Sequence, residues 1–356
     1  MRASAVVSEA WRNIVSGTSR PLLIAFLAAV VLGGIAAGDV RTIVGLSTQA
    51  TEFRESGAAV EIMQAPAAIS GQRCDALGAL PGVLGAGATR KADEQATPLT
   101  APRAGIATVE ATPGLAGVLG IENGAVQGVW IEDSAREALG TSQGGTIPTS
   151  RGPVKLVASY SYPQDASDRT LAYTLIVPVP AEGAFDACWV LAWPPSPDLE
   201  SLIRGTYFGD PTGQSSATYG QLNTRLGAVL DGPTLFQARS SSISPAIAAI
   251  FGLVLGAGAV WARRLEIASA LHAQLPKPAL VTQLGIELLV VMLSVVVIVL
   301  PVTYFLAARG NPDPMWPAWS AGLRIVAAGL LATLVGGLLT AAGTSEKRLF
   351  RYFKDR

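Results

Sequence analysis

Hydrophobic and polar positions divide the chain into four long apolar runs and one long stretch of mixed polarity. The first run, Pro21 to Ala37, reads "PLLIAFLAAVVLGGIAA"; the others cover Ile243 to Ala262, about Leu280 to Ala307, and about Ala321 to Ala342. A bilayer core takes a helix of ~20 apolar residues, so each run predicts a membrane span. Between the first run and the second lie some two hundred residues rich in turn formers, with no run of that length. The predicted organisation is a surface helix over 1–20, spans over 21–38, 243–262, 279–307 and 321–342, a large α+β domain over 39–242, a short helix over 263–278, a loop over 308–320 and a tail over 343–356.

The polar segments carry their own patterns. "SAVVSEAWRNIVSG" places Trp11 and Ile14 at helical spacing and reads as an amphipathic helix lying on the membrane surface. The alternative is a signal peptide cut near "GIAAGD". The long segment ahead of the first span and its helical pattern favour a retained helix. In the mixed stretch, "AAVEIMQA" predicts a strand, Ser70 to Leu80 a helix, and "VLGAGATRK" a strand. "GVWIEDSAREALGTSQGGTIPTSRGPVKLVASYSYP" predicts a strand, a short helix, a Gly-Gly turn and two strands. "LAYTLIVPVP" and "CWVLAWP" predict two more strands, and Pro197 to Tyr207 a helix.

Composition agrees with a membrane protein. Of 356 residues, 50% are hydrophobic and only 15% charged, and the mean hydropathy is +0.40. Soluble domains carry about a quarter charged residues. The net charge is zero, which gives no bulk attraction to nucleic acid. Charge placement sets the orientation, because Lys and Arg collect on the cytoplasmic side. Arg2, Arg12 and Arg20 precede the first span; Arg263, Arg264 and Lys277 lie between the second and third; Lys347, Arg348, Arg351, Lys354 and Arg356 follow the fourth. The domain over 39–242 has 13 Lys/Arg against 20 Asp/Glu. Both termini are therefore expected inside and the large domain outside, in a multi-pass bacterial plasma-membrane protein. Trp316 and Trp319 suit an outer aromatic belt, and Phe350, Tyr352 and Phe353 an inner one.

Little in the chain points to catalysis. No phosphate-binding G-x-x-x-x-G-K-[ST] loop is present, so ATP is not expected to bind here. The single histidine, His272, falls on the predicted inner side, which leaves no histidine-based triad or zinc cluster outside. No catalytic, cofactor-binding or metal-binding residues are expected. Two cysteines, Cys74 and Cys188, fall in the outer domain, where an even count in an oxidising compartment favours a disulfide over two buried thiols. Glu287 is a carboxylate within an apolar run; snorkelling or pairing with Arg263 or Arg264 accounts for it better than proton transport. Gly252, Gly256 and Ala259 place small residues on the second span at spacings that permit close helix packing or a dimer contact.

The segment between the second and third spans is the most informative. Arg263 to Leu271 favours a helix, and Pro276 and Pro278 stop it and restart another. A plain connection needs only a few residues. "ARRLEIASALHAQLPKPALVTQLGIELLVV" resembles the signature of FtsX-like ABC permeases, the MacB type, through Arg264-Leu265-Glu266-Ile267, Ala270-Leu271-His272-Ala273 and Ile286-Glu287-Leu288-Leu289. The order of one helix, a large outer domain and three helices is also similar. His272 stands where the family usually has Gly, and Pro276 and Pro278 where it is usually polar and basic.

The resemblance implies an α-helical membrane protein with four transmembrane helices and an α+β extracytoplasmic domain built of a MacB-like porter and an inserted subdomain. A Cys74–Cys188 bond would then join the two halves of the porter. It further implies a homodimer, or a pseudo-symmetric heterodimer, of permeases above a cytoplasmic ABC ATPase dimer that holds ATP and Mg. Arg263, Arg264, Leu265, Glu266, Ile267, Leu271 and His272 would form the ATPase-coupling helix, with Leu265, Ile267, Ala268 and Leu271 filling a groove on the ATPase. The work done would be export or extraction of an amphiphilic, peptide or lipid-linked substrate, or mechanotransmission. The alternative for the outer domain is an unrelated α/β sensor fold, and for the function a membrane-anchored extracytoplasmic sensor or cell-wall-enzyme regulator without an ATPase partner. The orientation has a direct test: a cysteine placed near Gln214 is expected to react with an impermeant label in intact cells, and one at Ser345 is not. Labelling of Ser345 from outside would overturn the topology.

Overall fold

The computed structural model of the chain describes residues 3–99, 105–121, 128–209 and 217–345. Arg2, the Gln214 position and the basic and aromatic residues expected after Glu346 lie outside the described residues. In chain order the elements are α1 (Ala3–Val15), α2 (Pro21–Glu55), β1 (Val60–Ser70), α3 (Gly71–Leu77), β2 (Val83–Lys91), β3 (Ala107–Ala111), α4 (Leu115–Val118), β4 (Val129–Glu132) and α5 (Asp133–Ala138). Then follow β5 (Thr146–Thr149), β6 (Gly152–Tyr160), β7 (Thr174–Pro178), β8 (Ala184–Ala192), α6 (Leu199–Arg204), β9 (Thr218–Gln221), α7 (Gly232–Ala238), α8 (Ser244–Trp261), α9 (Arg264–His272), α10 (Lys277–Ala308) and α11 (Trp316–Gly343). They form two compact units: Met1–Thr48 with Pro233–Arg356, and Gln49–Gly232.

The first unit is helical. Among the described residues α2, α10, α11 and the stretch Ser240–Trp261 are long and apolar enough to cross a membrane, which makes this a multi-pass membrane protein. The expected first span ends at residue 38, whereas α2 continues to Glu55. Asp39 and Arg41 end the run of apolar residues but not the helix, since neither breaks backbone hydrogen bonding. Pro278 sits in the first turn of α10, where a missing N–H costs nothing.

Backbone proximity holds α8 to α11. The buried stripe Ala248, Gly252, Gly256 and Val260 runs at four-residue spacing along α8. A Cβ on Gly252 would lie 2.0 Å from the Gly329 carbonyl oxygen, and one on Gly256 would lie 1.9 Å from that of Thr333. These glycines are therefore consumed by packing inside the chain. Ala259, half-buried, lies off that stripe beside a small cavity it shares with Ser19, Ile24 and Glu287. A second apolar core joins Ala28, Leu32 and Ala36 of α2 to Val295 and Val299 of α10 and Ile325 and Val326 of α11.

The second unit is a nine-stranded mixed sheet, in the order β5-β6-β4-β7-β3-β2-β8-β1-β9. The β3–β7 and β4–β6 pairs are parallel and the rest antiparallel. Helices α3 and α6 cover one face through Cys74, Leu77, Leu199 and Ile203, which meet Met63, Ala86, Ala88 and Val190. The other face is built around Trp189, Val109, Leu115 and Ile176. A third cluster, Val129, Ile131, Ala135, Ile147 and Leu156, forms the core of the β4–β6 end. Gly87 of β2 is required by the close approach of α4, because a Cβ there would lie 2.1 Å from the Leu115 nitrogen. Burial pushes the Asp75 carboxyl up, against the lowering hydrogen bonds from the Thr112 hydroxyl and the Gly114 backbone.

Cys74 on α3 and Cys188 on β8 form a disulfide, with Cα atoms 5.8 Å apart and a sequence separation of 114. Both are fully buried, and no free cysteine remains. A crosslink closing a loop this long stabilises by up to ~4–5 kcal/mol through chain entropy. Replacing both cysteines by Ala is expected to lower the unfolding midpoint of the sheet unit, with ~2–5 kcal/mol lost, and non-reducing peptide mapping of the native chain should recover the linked pair. For the helical unit, Gly256→Val is expected to separate α8 from α11 and lower thermal stability in detergent well below that of Gly258→Val, since nothing lies within 4 Å of a Cβ at Gly258.

Candidate functional site

Helix α8 ends at Trp261, and two residues later α9 begins almost at once. Of the two residues between them, Ala262 and Arg263, the second organises the turn. Its guanidinium Nη1 donates to Glu287 Oε2 of α10 at 2.5 Å. Its Nε and Nη2 donate to the two oxygens of Glu266 on α9, at 2.9 and 3.2 Å. The other Glu287 oxygen accepts from Asn13 Nδ2 of α1 at 2.8 Å and from Gln283 Nε2 at 3.5 Å. One carboxylate, 4% exposed, thus ties α1 and the α8–α9 turn to α10. Burial disfavours the charged form of Arg263, but hydrogen bonding to Glu266 and the charge of Glu287 outweigh it and hold the group above its usual range.

The remaining residues of α9 are distributed differently from the expectation. Arg264 stacks its guanidinium 3.9 Å from the centroid of the Trp261 ring. Ile267 and Ala268 are buried, and Leu265 and Leu271 are half-buried. Ile267 and Leu271 lie in a cluster with Val260, Leu280, Leu284 and Ala341 of this same chain. Ile267 and Leu271 are therefore packed within this chain, and they cannot fill a groove on a partner without leaving that core. Glu266, Ser269 and His272 are the exposed positions, so the surface that α9 offers is polar.

Beside α9 lies a groove of about 480 Å³ between α1 and the start of α10. Val6, Ile267, Leu275, Leu280 and Leu284 line it, with Glu9, Arg12, Glu266 and Gln283 among its polar residues. On α1, Val6 and Ala10 are buried, while Val7, Trp11 and Val15 form an exposed stripe at four-residue spacing. Such a stripe suits the lipid headgroup region.

A second buried ion pair went unrecognised in the sequence. Arg239 Nε, just ahead of α8, lies 3.1 Å from Asp39 Oδ1 on α2, and the Asp39 side chain is only 2% exposed. Arg239 also donates from Nη1 to the Phe236 carbonyl at 2.7 Å and lies 4.0 Å from the Phe236 ring centroid. The available signal was an acid directly after one apolar run and a base directly before another.

The sheet unit holds a cavity of about 560 Å³ over Ala107, Val109, Ala187 and Trp189. Its Arg90 is paired with Glu110 at 2.6 Å, and the Asp186 carboxylate accepts from the backbone nitrogens of Ala67 and Lys91. Gly140-Thr141-Ser142-Gln143-Gly144 matches the letters of a G-x-S-x-G nucleophile motif, but it lies in the helix-to-strand turn from α5 to β5, not on a strand-to-helix elbow, and the unit contains no histidine. Among the described residues no group of His, Cys, Asp and Glu is placed to hold a metal ion.

No protein-family model and no curated protein sequence matches the chain. Solved structures do. The periplasmic region of MacB from Actinobacillus actinomycetemcomitans is similar over 49% of this chain and 94% of that one, with a TM-score of 0.35 and 11% identity. A domain of a candidate permease from Porphyromonas gingivalis is similar over 51% of this chain and 98% of that one, with a TM-score of 0.32 and 16% identity.

The Asp39–Arg239 pair carries a stability prediction. Arg239→Ala leaves the carboxylate buried without its cation and is expected to cost ~3–5 kcal/mol, read as a lowered unfolding midpoint in lipid discs. The double variant Asp39→Ala with Arg239→Ala is expected to recover most of that loss.

Proposed function

We propose that this chain is the membrane-spanning subunit of an ABC transporter-type complex, converting ATP-driven motion of a separate ATPase into movement of its helices and its sheet unit. The observation that carries this reading is the join between α9 and α10. A short helix between two spans is held to the next span through Arg263, which pairs with the buried Glu287 of α10 and with the exposed Glu266 of α9. Force on α9 would then reach α10 instead of being lost in a slack loop.

In this reading α9, the chain termini and the exposed residues Glu266, Ser269 and His272 face the cytoplasm, and the sheet unit faces outward. The partner is a cytoplasmic ABC ATPase dimer that carries ATP and Mg. Two permease copies, identical or pseudo-symmetric, sit above it. The contact with the ATPase is polar, because Ile267 and Leu271 of α9 are packed within the chain. The spans present apolar faces with few charges, which fits mechanical transmission to an amphiphilic, peptide or lipid-linked substrate, or to an outside enzyme, better than a hydrophilic route.

The test is affinity purification of the full-length chain from native membranes in mild detergent. An ABC ATPase is expected to co-purify and to hydrolyse ATP faster in the complex than alone. Ser269→Arg combined with His272→Glu, on the exposed side of α9, is expected to weaken that association about tenfold, equivalent to ~1.4 kcal/mol. Absence of any ATPase from the purified complex would overturn the proposal and leave the membrane-anchored sensor as the better reading.

A further inference from the structure

The Glu287 carboxylate does more than neutralise Arg263. Of its two oxygens, one faces the turn that starts α9 and the other faces Asn13 on α1. Three segments therefore end on one side chain: the α8–α9 turn, α10 and, 274 residues away, α1. A simple ion pair would satisfy the charge without Asn13. The amide is placed so that the carboxylate has no unpaired oxygen when the groups around it are apolar, which is the condition for a stable buried charge.

Helix α1 is a suitable third member because it has two working sides. Val6 and Ala10 are buried, while Val7, Trp11 and Val15 are exposed at four-residue spacing. A helix with such an apolar stripe is held in the plane of the lipid headgroups. It resists displacement along the membrane normal.

We propose that Glu287 is a positioning residue for energy coupling, and that α1 is the fulcrum against which α9 moves α10. The inference rests on the coupling reading above. Displacement of α9 pulls on Arg263; the pull reaches Glu287 and is resisted by Asn13 on the lipid-held helix. α10 therefore tilts instead of following α9 bodily. Without the Asn13 contact, α9 and α10 shift together and the tilt is lost. The ion pair alone would transmit force but give it no point of leverage.

The experiment uses the full-length chain in lipid discs. Both native cysteines are in the disulfide, so thiols introduced as Ser8→Cys on α1 and Ser269→Cys on α9 can carry spin labels. The native background is expected to give one narrow label–label distance. Asn13→Ala, which removes a hydrogen bond and no charge, is expected to broaden it, and Glu287→Gln to broaden it further. Asn13→Asp combined with Glu287→Gln exchanges donor and acceptor between the two helices and is expected to narrow it again.

With the co-purifying ATPase, Asn13→Ala and Glu287→Gln are expected to keep association within twofold of native and to reduce permease-stimulated turnover at least tenfold. The exchanged pair is expected to regain most of it. Unchanged distances, or native stimulation in Asn13→Ala, would overturn the fulcrum. If no ATPase co-purifies with the native chain, the coupling reading itself falls, and the label distances still decide whether the three-way joint exists.

Discussion

Taking a carboxylate out of water is the most expensive act in the helical unit, and the arrangement around Glu287 follows from it. In an apolar bundle an unpaired charge costs several kcal/mol after relaxation. The cost is met when each oxygen finds a donor, as Arg263, Asn13 and Gln283 do by converging on one point. That convergence fixes where α8 may end, where α9 must start and which side of α1 faces inward. Asp39 and Arg239 do the same between α2 and the start of α8. Apolar packing alone would let these helices slide; each buried ion pair fixes one register.

The sheet unit depends on a different constraint. Its strands alternate inward and outward residues on two covered faces, and the disulfide ties the helix on one face to a central strand. Because β8 pairs with both β1 and β2, the crosslink holds strands from the beginning and the end of the domain in one register. The β4–β6 end lies beyond that crosslink and relies on its own core around Ile131 and Leu156.

Much of this was legible in the sequence, and the reasons are specific. Span positions follow from apolar run length, a strong signal, and the strands that carry Val60, Val83 and Cys188 follow from short apolar stretches between turn residues. The extension of α2 to Glu55 was not legible, because hydropathy reports where lipid contact ends and says nothing of where a helix ends. β3, β9 and α4 are four or five residues long, and they are set by neighbouring strands and by the glycines that let α4 approach β2. At the candidate site, Glu287 was legible as a carboxylate near an interface that would snorkel or pair with Arg263 or Arg264, and the structure pairs it with Arg263. The part played by Asn13 was not, since an amide 274 residues from its partner leaves no pattern in spacing. The apolar residues of α9 misled for a physical reason: an amphipathic stripe shows that a face is buried without telling whose side chains bury it.

The glycine contact between α8 and α11 has a mechanical consequence. Where two backbones touch with no side chain between them, neither helix can rotate about its long axis or ride up over the other without collision. Together they behave as a single stiff plank. The unit thus has fewer independent parts than its helix count suggests: a plank, two separate rods in α2 and α10, and the short members α1 and α9 at one end. Any change of shape must come from the rods moving against the plank.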